Sequence, residues 1–244
     1  MTVLPGRPRH ELKFLLAAAS KARFLSLIRD GIQPDRHGDE HGAYRVSSLY
    51  YDTMDLQAYY EKLDGVLLRK KFRLRYYGLP EEEPSVSFFE IKHRYGNLIS
   101  KERAVLAPEI CGRLLKQESD LDELAERGGS TVERVLGFHH RQPLSPALIV
   151  SYLRHAWTGV EDEDLRVTFD HFLTAHPPDD YLSPGRGAGL PFLPPDQIVL
   201  EIKFNRNLPR WLQQRLIQHR LRPVRYSKYV EAALAQNVEA VGIR

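Results

Sequence analysis

The chain has 244 residues, 42% of them apolar and 27% charged, an ordinary balance for a soluble globular protein with room for a sizeable core. A formal net charge of +3 argues against a general nucleic-acid-binding surface, so any basic site has to arise from local clustering. The single cysteine, Cys111, excludes an internal disulfide and a multi-cysteine metal site, and no apolar run reaches membrane-spanning length. The first ten residues lack the apolar centre of a signal peptide, so a soluble cytoplasmic protein in a reducing compartment is expected.

Residues 9–15 alternate polar and apolar side chains and predict a short strand, with His10, Leu12 and Phe14 on one face and Arg9, Glu11 and Lys13 on the other. Residues 17–28 predict a helix with Phe24, Leu25, Leu27 and Ile28 on its apolar side. A loop over 34–43 leads to a strand at 44–51, and Asp52 to Asp55 read as a turn and N-cap before a short helix at about 56–62. Residues 66–77 contain no Gly or Pro and predict one long strand. Its alternation places Arg69, Lys71, Arg73 and Arg75 on one face, and Leu68, Lys70, Phe72, Leu74 and Tyr76 on the other. Four cations in a row repel one another unless water or an anion lies among them.

A turn or loop over 78–84 precedes a strand at 85–94, a hairpin turn at Tyr95-Gly96-Asn97 and a return strand at 98–106. Residues 108–137 predict a helix with a break at Gly128-Gly129. Two strands follow at 146–157 and 165–175, then a Pro- and Gly-rich irregular loop over 177–195. A strand at 197–205 and helices at 209–219 and 227–237 close the pattern. No repeat or composition shift marks a second unit, so one α+β domain over 1–244 with roughly eight, mostly antiparallel strands is expected.

The strands share one arrangement. Ile198, Leu200, Ile202 and Phe204 lie opposite Val199, Glu201, Lys203 and Asn205. Glu90, Lys92 and Arg94 share a face, as do Lys101 and Arg103, and Arg166, Thr168 and Asp170; Arg154 is in line with Val150 and Tyr152. Charged faces on the outside are the commoner solution. If they point inward, helices must cover the apolar faces, and the lining has to be wet, neutralised by Glu or filled by a polyanion. His10 and His93 read as packing or solvent residues in preference to metal ligands, Tyr76, Tyr77 and Trp157 as core or helix-facing in preference to base-stacking, and Trp211 as packing its helix on the barrel.

The motifs run in order from Arg9-His-Glu-Leu-Lys13-Phe14 and Tyr50-Tyr51-Asp52-Thr53 to Arg73-Leu-Arg75-Tyr76-Tyr77-Gly78 and Glu90-Ile-Lys92-His-Arg94. They continue with Ser100-Lys101-Glu102-Arg103, Tyr152-Leu-Arg154, Arg166-Val-Thr-Phe-Asp170, Leu200-Glu201-Ile-Lys203 and Arg225-Tyr-Ser-Lys228-Tyr229. Together they resemble the VTC-type polyphosphate polymerase domain of the CYTH-like triphosphate tunnel metalloenzyme superfamily, over nearly the whole chain. The resemblance implies an eight-stranded antiparallel β-barrel tunnel with a charged interior and helices packed outside. It further implies that Lys13, Arg73, Arg75, Lys92, Arg103, Arg154 and Lys203 line that tunnel and grip phosphate oxygens, with Lys101 and Arg166 beside them.

Glu201 matches the family's metal-binding glutamate, with Mn²⁺ or Mg²⁺ expected. Glu11 is a second ligand or a holder of Lys13, and Glu90 has the same two readings. Arg225 and Lys228 match a pair on the C-terminal helix near the terminal phosphate, where the family usually has Lys at the first position. CYTH members begin with Glu-x-Glu-x-Lys, and Arg9 stands at the first of those positions, against their two-metal arrangement. Catalysis is then expected from Arg73, Arg75, Lys92, Arg225 and Lys228. The implied reaction is transfer of the γ-phosphoryl group of ATP to a growing polyphosphate chain. An inorganic triphosphatase using water, or a module that binds polyphosphate or nucleotide without turnover, shares the same site. No nucleic-acid partner and no membrane span are expected.

Overall fold

Alternation along the strands sorts charge from hydrocarbon, and the architecture follows from which side each faces. The computed structural model describes residues 7–78, 87–106, 121–181 and 187–238, with only the backbone for 121–128. Its strands are β1 (Arg9–Ala17), β2 (Ile32–Pro34), β3 (Ala43–Thr53), β4 (Leu68–Tyr77), β5 (Ser87–Tyr95), β6 (Leu98–Leu106), β7 (Leu144–Gly159), β8 (Arg166–His176), β9 (Leu190–Pro191) and β10 (Gln197–Phe204). The α-helices among the described residues are α1 (Lys21–Ile28), α2 (Gln57–Leu63), α3 (Leu121–His139), α4 (Arg210–Gln218) and α5 (Lys228–Ala235).

Eight strands close into an antiparallel barrel in the order β7-β3-β4-β5-β6-β1-β10-β8, and the β7–β8 pairing completes the ring. The predicted α+β tunnel barrel is the fold. β2 and β9 extend the sheet from β7 and β8; β9 lies within the predicted 177–195 loop, and β2 spans a stretch between the first predicted helix and the 34–43 loop that it meets only at Pro34. The ring is unevenly sewn: β1 pairs with β10 over eight residue pairs from His10↔Phe204 to Ala17↔Gln197, but with β6 only through Arg9↔Ile99 and His10↔Leu98.

The apolar strand faces point outward and are covered. Leu49, Phe72, Leu74, Phe89 and Ile91 pack beneath Val132, Val135 and Leu136 of α3. Phe14, Val167, Phe169, Leu200 and Ile202 pack beneath Phe24 and Ile28 of α1 and Leu212 and Leu216 of α4. Trp157 joins this second cluster and Trp211 packs α4 against it, as read from the sequence. Trp211 comes so near Gly31 that a Cβ there would lie 2.6 Å from its ring.

The third cluster is different. Val46, Val150 and Val199 share strand faces with tunnel residues, and they pack with Tyr229, Val230, Ala232 and Ala233 of α5. α5 therefore docks on the inner face and fills one side of the bore, whereas α1, α3 and α4 lie outside. A bulge allows this on β8, where Phe172 takes φ 51°. Asp170 faces the tunnel before it, and Leu173 and Ala175 join the α5 cluster after it.

α3 contains the break read from the sequence, with Gly129 at φ 62° and ψ −169°. The start of that helix at 108–120, the loop residues 79–84 and residues 182–186 of the predicted 177–195 loop lie outside the described residues. No helix of the described residues is long and apolar enough to cross a membrane.

Candidate functional site

The inward faces of β1, β4, β5, β6, β7, β8 and β10 form a lining of interleaved cations and carboxylates. Two cavities occupy the bore. A narrow one of about 90 Å³ is lined by eleven Lys and Arg side chains against the two carboxylates Glu11 and Glu201. A wide one of about 700 Å³ has ten Lys and Arg side chains against Glu11 alone. They share Glu11, Arg73, Arg75, Lys92, Arg154 and Lys203, which form the waist between two mouths.

Strand register explains how so much charge is held. On β1 and β10, Lys13 stands opposite Glu201 and Glu11 opposite Lys203, so charges alternate across the ladder. Lys13 Nζ lies 3.4 Å from Glu11 and 3.3 Å from Glu201. Lys92 reaches Glu11 at 3.1 Å, and Lys203 reaches Glu201 at 3.4 Å. Asp170 accepts two 2.7 Å hydrogen bonds from the Arg154 guanidinium, the bidentate geometry that suits this pair. Lys228 closes the group, donating to Glu201 at 2.8 Å and lying 2.6 Å from Asp170.

Glu90 is a separate anchor. It is fully buried, and Arg73, Lys101 and Arg103 all donate to it at 2.8 to 2.9 Å, with Arg75 at 3.8 Å. Of its two sequence readings, ligand or holder of cations, the geometry is that of a holder. Burial alone would push its carboxyl up, but Arg73, Arg75, Lys101 and Arg103 hold it far below the usual carboxylate range. Glu11 and Glu201 are likewise held low against burial, by Lys92 and Lys13 for the first and Lys228 and Lys13 for the second.

Elsewhere the wall sets like charges side by side. Lys71 of β4 pairs in register with Lys92 of β5, which pairs with Lys101 of β6, and Arg69 stands opposite Arg94. Like charges directly opposite destabilise a sheet, and an anion lying across this rung would remove the cost. Lys71 has no carboxylate at ion-pair distance among the described residues; it donates to Ser227 Oγ at 2.9 Å and lies over the Tyr229 ring at 4.9 Å. Burial, then Lys92 and Lys13, push its ammonium well below its ordinary value. Burial lowers Lys92 to about 7 despite Glu11, and Lys101 to about 8 despite Glu90. Lys13 sits between Glu11 and Glu201, so it goes up instead.

The structure brings Lys13, Arg73, Arg75, Lys92, Arg154, Lys203 and Lys228 together around the waist and narrow cavity, with Glu11 and Glu201 among them. Lys101, Arg103 and Arg166 border the wide one. Arg225 departs from expectation. α5 begins at Lys228 behind its N-cap Ser227, so Arg225 lies on the preceding segment, exposed and lining neither cavity, although its charge acts on Lys62 and Arg69. Tyr77 also departs: it faces the wide cavity instead of the core, and burial is outweighed there by Arg75 and Arg103, which draw its phenol down to about 7. Tyr76 packs against Tyr181 on the outside, and His93 bonds Glu102 outside at 2.7 Å.

Sequence reasoning left Arg69, Lys71, Arg94 and Lys62 out of the site. The first two were marked by strand alternation with Arg73, but the matching motif begins only at Arg73. Asp170 was visible as an inward residue without a role; it is the carboxylate that fixes Arg154.

A closed barrel whose bore is buried and strongly cationic defines a tunnel whose lining suits a polyanion. The chain belongs to the VTC domain family, whose model matches residues 8–236. Two solved structures from Pyrococcus horikoshii OT3 are similar at 11% identity: the PH1819 protein, with a TM-score of 0.44 over 93% of this chain and 99% of that one, and the PH1012 protein, with 0.45 over 92% and 98%. No curated protein matches the chain. Membership of the family assigns a polyphosphate-related role in general terms.

Proposed function

We propose that this domain is a metal-assisted polyphosphate polymerase that moves the γ-phosphoryl group of ATP onto the end of a polyphosphate chain. The observation that supports the reading is the pair of cavities meeting at one cationic waist, an arrangement that would let the donor and the growing chain lie on opposite sides of it. The bond between the γ-phosphorus and the β,γ-bridging oxygen breaks, ADP leaves with the electron pair, and a terminal oxygen of the chain forms the new P–O–P link. That acceptor is already anionic, so no strong general base is needed. The lining residues align the two phosphates and spread the charge of the transition state: Arg73, Arg75 and Arg154 through the guanidinium N–H groups that Glu90, Ser48, Tyr152 and Asp170 leave free, Lys92, Lys203 and Lys228 as point charges.

Glu201 and Glu11 offer hard carboxylate oxygens to one cavity, the donor chemistry of Mg²⁺ or Mn²⁺. No group of three or more His, Cys, Asp and Glu suited to a metal occurs among the described residues. The fit is therefore to an ion held by one or two carboxylates plus substrate phosphates. Such an ion would neutralise and orient phosphate oxygens.

The test is incubation with ATP and Mn²⁺ or Mg²⁺, followed by gel separation of the products. A ladder of long chains is expected, abolished by Arg73→Ala or Glu201→Ala with circular dichroism unchanged. Free phosphate alone, from ATP and from tripolyphosphate, would make water the acceptor and overturn the reading.

A further inference from the structure

The two cavities differ in more than size. The narrow one has the space of a few water molecules, and three of its four tyrosine rings already carry a partner. Tyr50 and Tyr229 stack on each other at 5.1 Å, and Lys228 and Arg154 lie over Tyr152. The wide cavity is bordered by Tyr44, Tyr77 and Phe88 beside the cations. Tyr77 meets Phe88 edge-on at 5.8 Å, and Tyr44 meets Tyr77 edge-on at 5.6 Å, so the rings make a corner and do not stack face to face.

Arg103 completes this corner. Its guanidinium lies over the Phe88 ring at 4.3 Å, is held by Glu90, and donates to the Tyr77 hydroxyl at 3.3 Å. Three fixed contacts hold one flat group in place, with a third of the side chain still exposed, at 35%. A guanidinium plane backed by an aromatic ring is a stacking surface for a nucleobase. Tyr77 stands four residues beyond Arg73 on β4, roughly 13 Å along the strand, which leaves room for a ribose between the waist and this corner.

We propose that the wide mouth is a nucleobase subsite, in which the base of a nucleoside triphosphate stacks on the Arg103 guanidinium backed by Phe88, with Tyr77 as the side wall. The proposal rests on the reading above only in taking a nucleoside triphosphate as ligand. It separates two jobs of Arg103, one as charge and one as flat surface. Stacking tolerates any base, because every base has a π-face.

The experiment compares binding of the β,γ-imido analogue of ATP and of tripolyphosphate by titration calorimetry, without transfer. Arg103→Lys keeps the charge and loses the plane. Phe88→Leu keeps the fold's bulk and loses the ring. Wild type is expected to prefer the nucleotide. Each variant should weaken the nucleotide about ten-fold while leaving tripolyphosphate within about two-fold. Equal losses for both ligands, or no loss for either, would overturn the subsite, since the corner would then be touching phosphate or nothing. The gel assay is independent: a ladder with an unchanged binding ratio removes the subsite alone, and a shifted ratio without a ladder supports the subsite while the polymerase falls.

Discussion

Glu90 shows how a single residue carries a wall of charge. With four cations around it and no exposure, its loss leaves Arg73 and Arg75 buried without a counter-ion. Removing one partner of a buried ion pair costs about 3–5 kcal/mol, and the lower end applies because Lys101 and Arg103 are partly solvated. Glu90→Gln is therefore expected to lower unfolding stability by about 3 kcal/mol in urea titrations; a loss below about 1 kcal/mol would contradict the anchor role. Because its pKa is depressed, the stability it contributes is present above the ordinary carboxylate value and is lost as pH falls below it.

The lysines are lowered by a different cause, burial that pairing does not offset. Lys92, lowered to about 7, is mostly neutral in the empty tunnel at pH 8, and Lys101, lowered to about 8, is half charged. A bound phosphate chain raises both, so binding takes up protons. Affinity for tripolyphosphate should fall as pH rises from about 7 through 8, where both lysines lose their charge in the empty tunnel. Calorimetry at pH 8 in two buffers of different ionisation heat is expected to show net proton uptake, reduced by Lys92→Arg. No uptake would refute the assignment.

At the scale of elements, β4 was legible because a fully charged face opposite an apolar one cannot be produced by chance packing. Alternation sorted Lys71 with Arg73, but it could not say whether that face looked in or out; only the likeness to tunnel proteins gave the direction. β2 and β9 were not legible, since three and two residues cannot show a period. The bulge at Phe172 was hidden because no glycine marks its positive φ. The place of Arg225 was misread because it was carried over from the family's motif, although the helix predicted at 227–237 already left it outside; Ser227 caps that helix.

Asp52 links two elements in a way that the predicted N-cap only partly captured. The residue before α2 is Leu56, in a left-handed conformation and without a side-chain cap. Asp52 reaches over to accept from the backbone N–H groups of Ala58 and Tyr59, and Thr53 accepts from that of Gln57. The same carboxylate accepts from the Tyr229 hydroxyl at 2.6 Å, which pins α5 one residue from Lys228. Tyr229→Phe preserves the ring stack and removes the pin. It should lower stability by about 2 kcal/mol, speed amide exchange in α5 and reduce chain elongation. Unchanged exchange in α5 would mean that apolar packing alone holds the helix.

At the scale of the molecule, the barrel turns the usual order inside out, with hydrocarbon packed outside the wall and charge at its centre. Such an interior cannot collapse on itself, because the cations outnumber the carboxylates in both cavities. The wall is a closed hoop, and its thinnest stitch is the two-pair seam between β1 and β6. A thread that has passed through a hoop is linked to it like a bead on a string: it can leave by sliding off an end, or by the hoop parting at its stitch. Under the proposed polymerase reading, escape of a polymer made inside would slow with length while every individual contact stays weak, and the ring would keep hold of its product without gripping any one phosphate tightly.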